Sequence, residues 1–270
     1  MTATRPRPAP IVGRFVRLEP LRREHLPALF AAIGHPIIFA GGFGGGPAAY
    51  RDTVDGFIEW AETYFDWEKG NPFAVFVVGG PHDGELVGTT TLTDFDLARE
   101  ATHIGWTAYD PRVWGTAVNA EAKLLLLGTA FDSGFGRVLI QADALNERSR
   151  AAIAGIGATF EGVLRRDRLR ADGTWRDSAL YSVIVDDWPR VKALLEQRLA
   201  GYGDRPVLFR SRTRRLRRPA SALPQPGDSV GRGLAVVSAE WTRSVLDSGR
   251  PSSSPSLWRW GSSGARASSS

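Results

Sequence analysis

Residues 114–131, WGTAVNAEAKLLLLGTAF, and 138–149, VLIQADALNERS, decide the fold of this chain. The Trp114–Gly115 pair makes a turn, and an apolar helix runs from it to near Phe131. A short strand over 138–142 leads into Asn146-Glu147-Arg148-Ser149, and a second helix over 148–156 closes at Gly157. A glycine turn opening a helix beside strand ends exposes unpaired backbone N–H groups and the positive end of the helix dipole. Those are the features that bind phosphate. The stretch therefore predicts a phosphate-bearing cofactor gripped by backbone rather than by side chains.

Toward the N-terminus, Phe15, Val16 and Leu18 alternate with Arg14, Arg17 and Glu19, which predicts a first strand over 13–21. Residues 22–33 follow with Leu26, Leu29, Phe30 and Ile33 at helical spacing. The glycines of 41–46 form a flexible loop, and without a Lys-Ser/Thr pair they do not make a nucleotide P-loop. An amphipathic helix over 50–67 precedes strands over 73–78, 85–95 and 102–109, the first two joined by the hairpin turn Pro81-His82-Asp83-Gly84. Toward the C-terminus, 159–169 and 175–185 form a hairpin around Ala171-Asp172-Gly173, and 187–199 a last helix with Val191, Leu194, Leu195 and Leu199 as its apolar stripe.

At 270 residues and 43% hydrophobic content the chain has ample material for a core. It has no cysteine, which excludes disulfides, thiolate metal sites and a cysteine nucleophile and fits a reducing cytoplasm. The basic, proline-rich start has no apolar stretch of the signal-peptide kind, and the longest apolar runs are far too short to span a bilayer. A cytoplasmic protein without membrane contact is expected. The net charge of +5 divides unevenly: residues 203–270 hold 12 Arg and 4 acidic groups, whereas the other 202 carry 22 basic and 25 acidic ones. The expected domains are thus a flexible segment over 1–11, a folded domain over 12–202, and a disordered basic tail over 203–270 rich in Arg, Ser and Pro. Any nucleic-acid contact belongs to the arginine cluster of 210–218 in that tail, not to the domain.

Several segments, in order, resemble the GNAT acetyltransferases, and among them the RimJ/RimL-type N-acetyltransferases. The likeness covers roughly 12–199. Gly13-Arg14-Phe15-Val16-Arg17-Leu18 is similar to the family's opening strand, and His103-Ile104-Gly105-Trp106 stands where it has an acidic residue followed by Ile-Gly-Tyr or Ile-Gly-Trp. Trp114-Gly115-Thr116-Ala117-Val118-Asn119-Ala120-Glu121-Ala122 resembles the cofactor motif Trp-Gly-Lys-Gly-Tyr-Ala-Thr-Glu-Ala. Asn146-Glu147-Arg148-Ser149 matches Asn-x-x-Ser, Gly157-Ala158-Thr159-Phe160-Glu161-Gly162 matches Gly-Phe-x-x-Glu-Gly, and Asp172-Gly173 with Arg176-Asp177 completes the set. Thr116 and Ala117 depart from the usual lysine or arginine and second glycine, and His103 from the acidic residue.

The resemblance implies an α/β fold of the α+β kind: a twisted, mostly antiparallel sheet of about seven strands with helices on both faces. Its central parallel pair, here 102–109 and 138–142, splays apart. It also implies acetyl-CoA as acetyl donor, without a metal, and a primary amine as acceptor. RimJ/RimL similarity points to a protein N-terminal α-amino group. A small-molecule amine, aminoglycoside-like antibiotics included, is the alternative enzyme, and a degenerate acyl-CoA-binding regulatory module the alternative of another class. Either a monomer or a homodimer is compatible with it.

The expected cofactor-binding set is Val113, Trp114, Gly115, Thr116, Ala117, Asn146 and Ser149. Backbone amides of 113–117 are aimed at the pyrophosphate. Ser149 is the expected proton donor to the departing thiolate, against a role in starting its helix, and Asn146 a ligand of the pantetheine arm, against capping that helix. His103 is the candidate general base, since an imidazole titrates near neutrality. It is expected to share a strand face with Gly105 and Thr107, opposite Ile104 and Trp106. Glu100, Asp94 and Asp96 are its rivals, Glu100 standing with Ser149 and His103 in the catalytic set. Glu121 reads better as a structural partner for a neighbouring strand. Arg165, Arg166, Arg168 and Arg170 read as a solvated face, or as contacts to an adenosine phosphate or an acidic substrate.

Overall fold

A computed structural model describes residues 2–210. The strands are β1 (Ile11–Val12), β2 (Val16–Pro20), β3 (Asn71–Val77), β4 (Leu86–Asp96), β5 (Ala101–Tyr109), β6 (Arg137–Asp143), β7 (Thr159–Leu169) and β8 (Trp175–Ile184). The helices are α1 (Leu26–Ile33), α2 (Pro36–Ala40), α3 (Val54–Tyr64), α4 (Ala117–Asp132), α5 (Glu147–Ala154) and α6 (Trp188–Ala200). One sheet runs β1-β2-β3-β4-β5-β6-β8-β7, and all its pairings are antiparallel except β5–β6. The eighth strand is β1, a two-residue hairpin arm ahead of Gly13 that is too short to show alternation.

Two apolar clusters sandwich this sheet. One packs α4 and α6 against it through residues such as Leu126, Leu127, Val191 and Leu195, with Ile104, Val138 and Val183 from the strands. The other holds α1 and α3 through Leu26, Leu29, Ile33, Phe57 and Ala61. In α3 the apolar positions three and four apart turn one face to the sheet, and Thr53 caps its start by accepting the N–H of Gly56.

The ends of the domain lie beyond the expected bounds. The segment expected to be flexible packs: Ala3 is buried in the main cluster, and Arg5 donates to the carbonyls of Glu68 and Gly70 and to Asn71 Oδ1. Residues 203–210, assigned to the tail, pack as well. Val207 is buried, and the Phe209 ring stacks on His82 at 3.7 Å with the Arg112 guanidinium over it at 4.5 Å. Both segments are short and lack periodicity, so single anchor residues hold them rather than a patterned face. The expectations for 211–270, nucleic-acid contact included, lie outside the described residues. Among the described residues no helix is long and apolar enough to cross a membrane.

Candidate active site

The parallel pair opens where the family resemblance implies a gap. β5 and β6 pair from Ala101↔Arg137 to Ile104↔Ile140 and then part, although β5 continues to Tyr109 and β6 to Asp143. Their outer edges remain held, Ala108 and Tyr109 by β4 and the whole of β6 by β8. A β-bulge drives the divergence: Trp106 has φ 47, a left-handed conformation costly for an aromatic residue, and the β4–β5 register slips beside it. The inner edges of 105–109 and 141–143 thus face each other across a cavity of about 490 Å³. Buried backbone edges call for a partner, and an extended chain carrying amides supplies one.

The bulge also rearranges the side chains. Thr107, expected on the His103 face, lies on the opposite one, where its Oγ1 accepts from Lys123 Nζ at 2.9 Å. Trp106, expected opposite, stands beside His103 with ring centroids 5.9 Å apart, its indole N–H donating to the Tyr64 carbonyl. One extra residue in the strand reverses the alternation past it.

At one end of the cavity lies the start of α4. Thr116 is the N-cap: its Oγ1 accepts from Val118 N and donates to the Val113 carbonyl at 2.6 Å. Three of the five amides expected to face phosphate are engaged within the turn, those of Val113, Trp114 and Thr116 bonding to Asp110, Pro111 and Val113 carbonyls. Among the described residues the amides of Gly115 and Ala117 donate to no protein acceptor, and they remain for an anion. Trp114 walls the cavity, its Nε1–H fixed on the Tyr109 carbonyl and the Arg148 guanidinium over its ring at 3.9 Å.

Asn146 and Ser149 border the same cavity from α5. The Asn146 Oδ1 accepts Ser149 N at 3.0 Å, so Asn146 is the helix cap, and its Nδ2 donates to the Gly41 carbonyl. The capping reading of Asn146 is thus what the structure displays, with a tie to the loop after α2 added. Ser149 does not cap, which leaves its hydroxyl to the cavity.

His103 lines a second cavity, of about 380 Å³, that shares Gly42, Tyr64, Gly105, Trp106, Gln141 and Arg176 with the first. The imidazole is buried, with Nδ1 3.1 Å from Asp94 Oδ2 and Nε2 without a partner. Burial holds its pKa below the usual value, against the pull of the Asp94 carboxylate, while the hydrogen bond to His103 lowers that of Asp94. A carboxylate on Nδ1 fixes the tautomer that leaves the Nε2 lone pair free. Asp94, expected as a rival base, is thus the hydrogen-bond partner of His103. Gly105 provides the room, since a Cβ there would meet His103 Cε1 at 2.7 Å.

Glu100 is not brought to this site. It sits exposed in the β4–β5 turn (φ 51), where its carbonyl accepts the N–H groups of Gly136 and Arg137, at the end of β5 away from the gap. Asp96 is likewise remote, bonded to Arg99 in the same turn. Three residues of extended strand span about 10 Å, so nearness to His103 in the chain does not bring Glu100 to the imidazole.

Sequence reasoning missed Lys123. Its side chain is buried at the wall of the first cavity, Nζ donating to Thr90 Oγ1 at 3.2 Å and to Thr107 Oγ1, and burial pushes its pKa down to about 7. The available signal was a lone lysine inside an apolar helical run. Because the folded pKa lies below the unfolded one of about 10.4, the cost of burying the cation is full below pH 7 and disappears as pH rises toward 10. Lys123→Met is therefore expected to stabilise the fold most at pH 6, with the gain shrinking by pH 9. Denaturant melts at the two pH values check this; a pH-independent difference would contradict it.

This architecture, a splayed parallel pair with a helix N-terminus at its mouth, is that of an acyl-CoA-dependent transferase. The model of the acetyltransferase (GNAT) domain matches residues 16–159, and the chain belongs to that family. It is an N-acetyltransferase that uses acetyl-CoA. A structure from T. thermophilus attributed to an acetyltransferase is 34% identical, covering 73% of this chain and 100% of its own, with a TM-score of 0.65. A GCN5-related N-acetyltransferase from Brucella melitensis is 26% identical over 73% of this chain and 87% of its own, TM-score 0.65. Mycobacterium smegmatis RimJ in complex with CoA-disulfide shares the fold at 21% identity, covering 68% and 88%, TM-score 0.53. No curated protein sequence matches the chain.

Proposed function

We propose that this enzyme acetylates a primary amine of a small molecule, the amine entering through the second cavity and acetyl-CoA through the first. Acetyl-CoA supplies the acetyl group as an activated thioester. The residues present fit it: the amides of Gly115 and Ala117 at the start of α4 would hold the phosphates, and the parted edges of β5 and β6 would take the pantetheine arm. His103 Nε2 takes the amine proton, and Asp94 steadies the imidazolium that results. Ser149 holds a transferable proton at Oγ on the other side of the gap. Glu100 and Asp96 have no part. Asn146 acts through position, locking the start of α5 and hence Ser149.

The observation that carries the small-molecule reading is the wall of the second cavity. The glycine loop after α2 meets the β7–β8 hairpin tip, Ala171 N donating to the Gly45 carbonyl at 3.0 Å. That contact makes both loops part of the wall of the second cavity, whose volume of about 380 Å³ suits a small amine. RimJ similarity favours a protein N-terminus instead, and the two readings separate experimentally. Free-thiol release from acetyl-CoA over a panel of small primary amines and N-terminal peptides, with mass detection of the products, is expected to single out small amines. Faster turnover of unstructured peptides would overturn this choice of substrate.

A further inference from the structure

We propose that the second cavity selects amines that also carry an anionic group, a carboxylate or a phosphate, which Arg176 and Arg168 bind. This rests on the acetyl-transfer reading above and names the substrate class of that site.

Arginines ring the cavity, and they are not equally satisfied. Arg170 is neutralised: its Nε and Nη2 lie 3.2 and 2.6 Å from Asp143 Oδ2, and its Nη1 donates to the Trp175 carbonyl. Arg176 is half-buried and faces both cavities, and its Nε–H donates to Ser178 Oγ at 3.1 Å. Among the described residues it forms no ion pair. Burying a guanidinium without an ion-paired carboxylate is unfavourable, and burial lowers its pKa although Asp143 and Asp167 pull the other way. Arg168 lies against the same space. With its oxygen turned to the guanidinium, the Gln141 amide accepts from Arg168 Nε at 3.0 Å and Nη2 at 2.9 Å, while the carboxylate of Asp167 reaches only to 3.7 Å.

Most of the nearby carboxylates are committed elsewhere. Asp143 is taken by Arg170, Asp94 by His103, and Asp177 accepts the backbone N–H of Arg166 at 2.8 Å; among the described residues Asp167 alone stays near, its Oδ2 3.7 Å from Arg168 Nε and without a hydrogen bond. Tyr64 and Trp106 supply aromatic wall to the same cavity. An incoming molecule is thus offered two cations at one side and a proton acceptor at another. An amine with an anion a few bonds away satisfies both, whereas a neutral amine leaves Arg176 uncompensated. A planar guanidinium recognises carboxylate and phosphate alike.

The test compares matched pairs, O-phosphoethanolamine against ethanolamine and β-alanine against propylamine, by thiol release in the wild type, Arg168→Gln and Arg176→Gln. Tryptophan fluorescence quenching by O-phosphoethanolamine, without acetyl-CoA, provides a second readout. The charged member of each pair is expected to be favoured in kcat/KM by about tenfold or more. Either variant should collapse that ratio toward one and weaken the quenching. Arg168→Gln, which touches only the second cavity, should keep the wild-type Kd for acetyl-CoA. Preference for phosphate over carboxylate, or the reverse, identifies which anion the site was built for. Equal or better turnover of neutral amines, a ratio that survives both substitutions, or a selective preference for acidic peptides would overturn the proposal. Quenching that depends on Arg176 with no turnover of any amine would instead sink the acetyl-transfer reading and leave the anion site standing.

Discussion

Glu121→Ala is expected to lower stability by roughly 3 to 5 kcal/mol. The Glu121 carboxylate is buried, and it accepts three backbone N–H groups: Arg14 N at 2.9 Å, Phe15 N at 2.6 Å and Val16 N at 2.7 Å. It thereby ties the cofactor-binding helix α4 to the turn between β1 and β2. Removing the carboxylate leaves three donors in a place that water reaches poorly, and each carries its own desolvation cost. The fit is close enough to dictate the neighbouring residue, since a Cβ on Gly13 would stand 2.5 Å from Glu121 Cδ. A thermal melt should show a loss on the order of 10 °C. Glu121→Gln, which keeps one acceptor oxygen, should lose less. A change near zero in Glu121→Ala would mean that the β1–β2 turn satisfies its donors without α4.

The second large effect is on turnover. Ser149→Ala is expected to reduce kcat by about a hundredfold, the usual worth of a positioned proton donor, with the Kd for acetyl-CoA unchanged. Fold stability should also be kept, because Asn146 rather than Ser149 caps α5. His103→Gln tests the other end of the reaction. The base must be neutral to act, and burial holds the His103 pKa below 6.5. Activity of the wild type should therefore rise with pH below 6.5 and level off above it, and the substitution should erase that rising limb. Asp94→Asn should weaken the reaction while retaining the limb, displaced to lower pH, as fits a partner that orients the imidazole and favours its charged form. An unchanged pH profile in His103→Gln would remove the imidazole from the reaction.

The parts of this protein legible in its sequence are those where one residue type is compelled by local geometry. The turn at Trp114–Gly115, the apolar run of α4 and the Asn146-to-Ser149 segment located the cofactor cleft, because helix starts and glycine turns are written in adjacent residues. Glu121 was also legible as a link to a neighbouring strand. The bulge at Trp106 was not, since a left-handed tryptophan leaves no local trace and reverses every face assignment beyond it. Nor was the partnership of His103 with Asp94, which depends on how β4 and β5 register past a second left-handed residue, Asp94 itself (φ 53). Lys123 and Arg176 were hidden for another reason. Burial of a charge is a property of the assembled sheet and its cavities, and the same residues on a surface would look identical in the chain.

Acetyl-CoA is proposed to occupy the cleft where β5 and β6 part, with its phosphates at the start of α4. Titration of isotope-labelled protein with acetyl-CoA, followed through backbone amide resonances, tests this most directly. The account predicts saturable shifts concentrated in residues 105–109 and 141–143 and at Gly115 and Ala117, with little change at Glu100 in the far turn. Shifts confined to other surfaces, with those segments unmoved at saturation, would contradict it.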